Sequence, residues 1–171
     1  AASSYGLTCV LLFLTSAAYH RLAQTVLARF WMRRLDHSMI LLHIGGATTP
    51  IALIGLGGGL GRVLLAASWT GVIVGIGLKM TRLTASDDPC PWIFPLLGWL
   101  PLIALPALVA RSGIDAALLL GAAVVYGIGT CCFARQRPNP IPMVFGFHEV
   151  FHVCTLIAGA CQFALTYRLV G

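Results

Sequence analysis

Charge is what this sequence has least of. Asp, Glu, Lys and Arg together make up 9% of its 171 residues, against about a quarter in an ordinary soluble domain. Acids are the scarcer sign, five against eleven bases. With 58% hydrophobic residues and a mean hydropathy of +0.91, this poverty excludes a soluble globular domain and reads as an integral membrane protein. There is no CxxC pair. Five of the six cysteines (Cys9, Cys131, Cys132, Cys154 and Cys161) lie inside apolar runs, so neither a disulfide framework nor a thiolate metal site is expected. Nothing resembling a cleavable signal peptide opens the chain. A phosphate-binding loop is excluded as well, because the glycine-rich stretch Gly57-Gly58-Gly59-Leu60-Gly61 lacks the Lys-Ser/Thr of that motif and reads as a turn.

What is present is a succession of apolar runs at about residues 5–19, 38–56, 63–78, 92–110, 116–133 and 144–167. At roughly 20 residues per spanning helix, the chain has room for about six helices and for no separate soluble domain. The expected fold is all-α, a polytopic transmembrane helix bundle forming one domain over residues 1–171. The fourth run contains Pro95, Pro101 and Pro106, which should kink or break it. The net charge of +6 does not mark a nucleic-acid partner, since the bases fall in the gaps between runs. Eight of the eleven (Arg21, Arg29, Arg33, Arg34, Lys79, Arg82, Arg135 and Arg137) follow the first, third and fifth runs, and only Arg62, Arg111 and Arg168 lie on the opposite side. By the positive-inside rule the first set is cytosolic.

On that topology His20 closes the first run, Asp36 precedes the second, and His148 and His152 open the sixth, all at one membrane face. Ionisable groups in spans normally face one another and the bundle interior, so a shared site is the economical reading. His148 and His152, four apart, project from one helical face. With His20 they make three imidazoles, the usual protein share of a catalytic zinc site that keeps one position open. Asp36 is placed to take a proton from water, and Ser16, one turn before His20, to donate a hydrogen bond. His148-Glu149-Val150-Phe151-His152 also matches the zincin pattern, with Glu149 as base. That reading lacks a third ligand, because no His, Asp or Glu follows His152; the bland alternative has Glu149 facing headgroups or pairing with Arg135 or Arg137. His43 is expected to pack beside the site, His37 to lie at the interface, Asp87 and Asp88 to be solvated, and Trp31, Trp69, Trp92, Trp99 and the tyrosines to be interfacial anchors.

Ser16-Ala17-Ala18-Tyr19-His20, Arg34-Leu35-Asp36-His37-Ser38, Gly45-Gly46-Ala47-Thr48-Thr49-Pro50 and the closing His148–His152 stretch, in that order, resemble the haemolysin III branch of the progestin and adiponectin-receptor family, with the alkaline ceramidases as distant relatives. The resemblance covers nearly the whole chain. It implies a seven-helix fold in a bacterial inner membrane, with Zn2+ held near the cytosolic side by His20, His148 and His152. It also implies hydrolysis of a lipid amide or ester, or alternatively a non-catalytic lipid-sensing receptor or pore-forming haemolysin with a structural zinc. Two features depart from the family pattern. Its first helix is not visible, so a truncated chain or a short member is expected, and Gln162 stands where relatives often have histidine.

Overall fold

The computed structural model describes residues 1–84, 88, 90–142 and 144–171; Asp87 lies outside them. The described chain is helical, with one isolated β-bridge, Ile141 to Phe145, and no strand. Helix α1 spans Ala2–Leu22, α2 Val26–Pro50, α3 Gly58–Arg82, α4 Ile93–Trp99, α5 Leu105–Arg111, α6 Gly113–Arg135 and α7 Phe147–Val170. A π-helical segment, Ile51–Leu56, extends α2, and a 3-10 segment, Leu100–Ala104, joins α4 to α5. Six of the resulting rods are long and apolar enough to cross a membrane, with α4, the 3-10 segment and α5 forming one of them. The all-α polytopic bundle is therefore as the composition requires: in hydrocarbon every backbone N–H and C=O must be paired inside its own helix.

The break in the fourth span falls where the prolines predicted it, at Pro101 and Pro106 in the first turns of the segments that follow. The second span departs from expectation at both ends. Residues 26–36, expected to be loop, are helical, because Thr25 caps the helix by accepting a hydrogen bond from the Ala28 N–H at 3.1 Å. The apolar count missed these roughly three turns of charged helix. Residues 26–56 then form a continuous rod of about 46 Å, longer than a hydrocarbon core of roughly 30 Å. The overhang carries Arg29, Arg33 and Arg34. At the far end the turn is made at Gly57 and at Gly58, the first residue of α3, both at positive φ (65° and 57°), where glycine carries no steric penalty; Gly59 and Gly61 lie further inside α3.

The Gly45–Pro50 stretch has a mechanical reading. Pro50 has no N–H, so the Gly46 carbonyl loses its helical partner. The Ser4 hydroxyl of α1 covers that carbonyl at 3.3 Å, its shorter hydrogen bond, 2.6 Å, going to the Ala1 carbonyl, and Thr48 and Thr49 donate to the carbonyls of Ile44 and Gly45, each at 2.8 Å. The disturbed ladder relaxes into the π segment. Gly46 also admits α1: a methyl there would lie 2.1 Å from Thr8 Oγ1. Helix α1 crosses α2 at this point and is tied to α7 by Tyr5, whose hydroxyl donates to the Gly159 carbonyl at 2.9 Å.

Two buried ion-pair clusters pin the ends. At one end Asp115, 2% exposed, receives Arg168 Nε at 2.5 Å and Arg111 at 3.5 Å, joining α5, α6 and α7. At the other, Lys79 is fully buried. It donates to Asp88 and to the Cys90 carbonyl and lies 4.5 Å from the Phe94 ring centroid. Neither Lys79 nor Asp88 is therefore the free loop charge expected of it. Arg34 is buried too: it donates to the carbonyls of Leu83, Met80 and Thr81 at 2.9, 2.5 and 3.4 Å, closing the end of α3, and lies over the Phe30 ring at 4.1 Å. Three aromatic expectations also fail. Trp69 is half-buried, donating to Thr49 Oγ1 at 3.1 Å, Tyr5 is 4% exposed, and Trp99, though exposed, lies within its span against the middle of α6; Trp31 and Trp92 are exposed as anchors should be.

Burial pushes the Asp88 carboxyl up, but hydrogen bonds from Lys79 and the Cys90 N–H, together with the Lys79 charge, outweigh it and hold the group below its ordinary value of 3.8. A depressed folded-state value means the pair stabilises the fold fully above about pH 4 and loses that contribution as pH falls through the lower folded value. Asp88→Asn should lower stability by about 3 kcal/mol at neutral pH by leaving Lys79 buried without its counterion. Adding Lys79→Met should restore most of it, as read by thermal unfolding in detergent micelles.

Candidate metal centre

Two helix ends meet on the face that carries most of the bases. His20 lies in the last turn of α1, and His148 and His152 in the first two turns of α7. Their approach follows from stripes on the two helices. At 100° per residue, Tyr5, Cys9, Ser16 and His20 fall within about 60° of one another on α1. Gly159, His152 and His148 likewise share a stripe of about 40° on α7. The Tyr5–Gly159 hydrogen bond joins the first turn of α1 to the middle of α7, so the same faces meet again at the histidines, about four turns on along α1 and about two to three along α7.

The geometry there is close. The Nε2 atoms of His148 and His152 are 3.0 Å apart, and one ring nitrogen from each of His20, His148 and His152 falls within 4.8 Å of the others. The ring centroids of His20 lie 5.6 and 5.8 Å from those of His148 and His152. Ligands around a tetrahedral zinc at 2.0–2.1 Å are about 3.3 Å apart, so the donor set fits a single ion with adjustments of an ångström or so. His20 is exposed and the other two are half-buried, which leaves a side of the cluster accessible. Phe133 of α6 walls the opposite side, its ring 5.8 Å from that of His148 and 5.2 Å from that of Phe151.

Asp36 of α2 has a side chain 14% exposed and is close enough for its charge to act on His152. Ser16 is half-buried one turn below His20. His37 turns away, with its Nδ1 against the Arg33 carbonyl at 2.9 Å and its ring 6.0 Å from Phe94. His43 is 5% exposed, deep in the bundle beside Tyr5 and Thr8, with Nδ1 3.4 Å from Thr8 Oγ1; it is a packed histidine outside the cluster. Gln162 is buried on α7, ten residues or about 15 Å beyond His152, too far to reach the same ion.

Glu149 has a different task from either role considered for it. Its Oε2 accepts a hydrogen bond from the Gly146 N–H at 2.8 Å, the N3 half of a capping box at the start of α7, while Asn139 Oδ1 accepts from the Phe147 N–H at 3.0 Å. Facing its own helix terminus, it is committed to capping α7, and among the described residues no hydrogen bond or ion pair joins it to Arg135 or Arg137; its charge still reaches His148 and His152. The glutamate three residues into a helix was the available signal for this, and the metal-binding look of the stretch obscured it. Sequence reasoning also missed Asn139, whose position eight residues before the Phe147 N–H that it accepts from gives no periodic cue. Glu149→Ala is expected to lower the melting temperature modestly and to leave the zinc affinity of the purified protein unchanged. A fall in zinc affinity matching that of a histidine variant would return Glu149 to the site.

Comparison with known proteins places this arrangement. Residues 1–163 match the family described as haemolysin-III related. Hemolysin-3 of Bacillus cereus is 31% identical over 160 residues, covering 93% of this chain and 70% of that protein. The Hemolysin-3 homolog of Bacillus subtilis (strain 168) is 29% identical over 160 residues, covering 93% and 72%. No solved structure matches. With a match over nearly its whole length and six membrane-crossing helices, the chain belongs to the haemolysin III family of multi-pass membrane proteins.

Proposed function

We propose that His20, His148 and His152 hold one Zn2+ and that the protein is a metal-dependent hydrolase acting on a lipid amide or ester within the membrane, its site toward the cytosolic side of a bacterial inner membrane. The observation that carries this reading is the convergence of three ring nitrogens within 4.8 Å, with one side accessible and the Asp36 carboxylate near enough for its charge to reach His152. A structural site is more often closed by four protein ligands, and no fourth His, Cys, Asp or Glu joins this group among the described residues. Zinc in such a setting supplies a Lewis acid and a hydroxide-strength nucleophile near neutral pH.

The chain's own residues then have distinct tasks. The three imidazoles would hold the ion through their ring nitrogens. Asp36, as carboxylate, accepts the proton of the attacking water and returns it to the departing amine or alcohol as the C–N or C–O bond breaks. The Ser16 hydroxyl donates to the substrate carbonyl oxygen as negative charge grows on it. A half-buried setting strengthens both interactions relative to water. The scissile bond must come to the membrane end of the helices, where the headgroup linkage of a lipid lies, which is why a lipid rather than a soluble substrate fits.

The second reading comes from the relatives' printed name, hemolysin, which favours permeabilisation of membranes with the metal in a structural role. One set of measurements separates the two. Wild-type protein in liposomes should contain about one zinc per chain and cleave a ceramide-type amide or a glycerolipid ester. Asp36→Ala should keep its zinc and lose at least about 100-fold in turnover. His152→Ala should lose both zinc, by elemental analysis, and turnover. Turnover unchanged in Asp36→Ala would refute the hydrolase as described, and zinc-dependent dye leakage without turnover would establish the permeabilising reading instead.

A further inference from the structure

Away from the histidines, an open groove of about 950 Å³ runs along the lipid-facing side of α6, walled by Trp99 of α4. We propose that it is a binding site for an anionic membrane phospholipid, with the acyl chain along α6 and the headgroup phosphate on Arg135 and Arg137. The inference is independent of the zinc reading.

The apolar part is a continuous stripe. Leu120, Val124 and Ile128, each about half exposed, recur every four residues and drift by about 40° per step, so they stay on one side of the helix. Trp99 forms a fixed wall because its indole N–H donates to the Ala123 carbonyl at 3.2 Å. Gly127 sets the depth between them: a methyl there would stand 3.2 Å from the Trp99 ring. From Leu120 to Arg135 the groove follows about 22 Å of helix, more than the roughly 15 Å of one leaflet's hydrocarbon. An acyl chain thus has a channel of its own length, ending at the membrane surface.

The charged end decides which lipid. Arg135 closes α6, and Gln136 at φ 52° turns the chain so that Arg137 follows within the same groove mouth. Both side chains are exposed, and no described carboxylate serves them. Asp88 is taken by Lys79, Asp115 by Arg168 and Arg111, Glu149 by the Gly146 N–H, and Asp36 lies beside His37 and His152. Two guanidinium groups at the end of an apolar channel, at the membrane face richest in bases, call for an external anion anchored by hydrocarbon. Another groove, about 490 Å³ between α1 and α7, has no charged side chain in its lining and so offers no such selection.

The test uses native mass spectrometry of the full chain, purified in detergent and presented with equal phosphatidylglycerol and phosphatidylcholine of the same acyl chains. Wild-type protein should retain phosphatidylglycerol over phosphatidylcholine by about tenfold or more, the scale expected for two arginines near the surface. Arg135→Gln with Arg137→Gln should abolish the preference, and the double lysine variant should keep most of it. Val124→Trp, which fills the channel without changing charge, should lose the retained lipid. Preference undiminished in the glutamine variant would overturn the proposal. So would full retention in Val124→Trp, which would mean attraction by the surface alone, or displacement by millimolar inorganic phosphate, which would mean a site for the free anion.

Discussion

The hydrogen bond from the Tyr5 hydroxyl to the Gly159 carbonyl is the contact on which the functional end of the molecule depends. Helix α1 is the least buried of the six spans, and in lipid no hydrophobic force holds it against its neighbours. Its rotation is set by small and polar contacts: Tyr5 to α7, Ser4 and Thr8 to the α2 backbone at Gly46. Once that rotation is fixed, helical periodicity carries it along the rod, and His20 faces His148 and His152 without further constraint.

Pro50 has a matching role on α2. A proline in mid-membrane would be costly if its carbonyl partner were left bare, and here the gap is filled from α1, so the defect in one helix becomes a joint between two. The threonines before it take up neighbouring carbonyls, and the π segment absorbs the extra turn. The Gly45–Pro50 stretch is thus a packing device for the helix pair that brings His20 and Asp36 to the same end. Its distance from the histidines along the chain hides a mechanical connection to them.

The charges divide by the same logic. Where a carboxylate or base is buried, as with Lys79, Asp115 and Arg34, it has partners that close helix ends or loops, because an unpaired charge would be unaffordable at that depth. Where bases are left exposed, as with Arg135 and Arg137, they lie at the membrane surface. The chain's few acids are nearly all engaged in structure, which makes Asp36 stand out by its place beside the histidine cluster.

The sequence by itself determined the class, the six apolar spans, the proline break in the fourth and the grouping of His20, Asp36, His148 and His152 at one membrane face, since apolar length and charge position are sums over local residues. It also carried the family, through Ser16 to His20, Asp36 and the two closing histidines in fixed order. It did not determine that residues 26–36 are helix, because a capped, charged overhang has no apolar run to announce it. Nor did it separate Glu149 from the histidines around it. Only the tertiary structure decided that Lys79 and Arg34 are internal, that His43 belongs to the packing beside Tyr5, and that three imidazoles come within reach of one ion. Those outcomes depend on how helices rotate against one another, and rotation is fixed by contacts between residues more than a hundred positions apart, such as Tyr5 and Gly159.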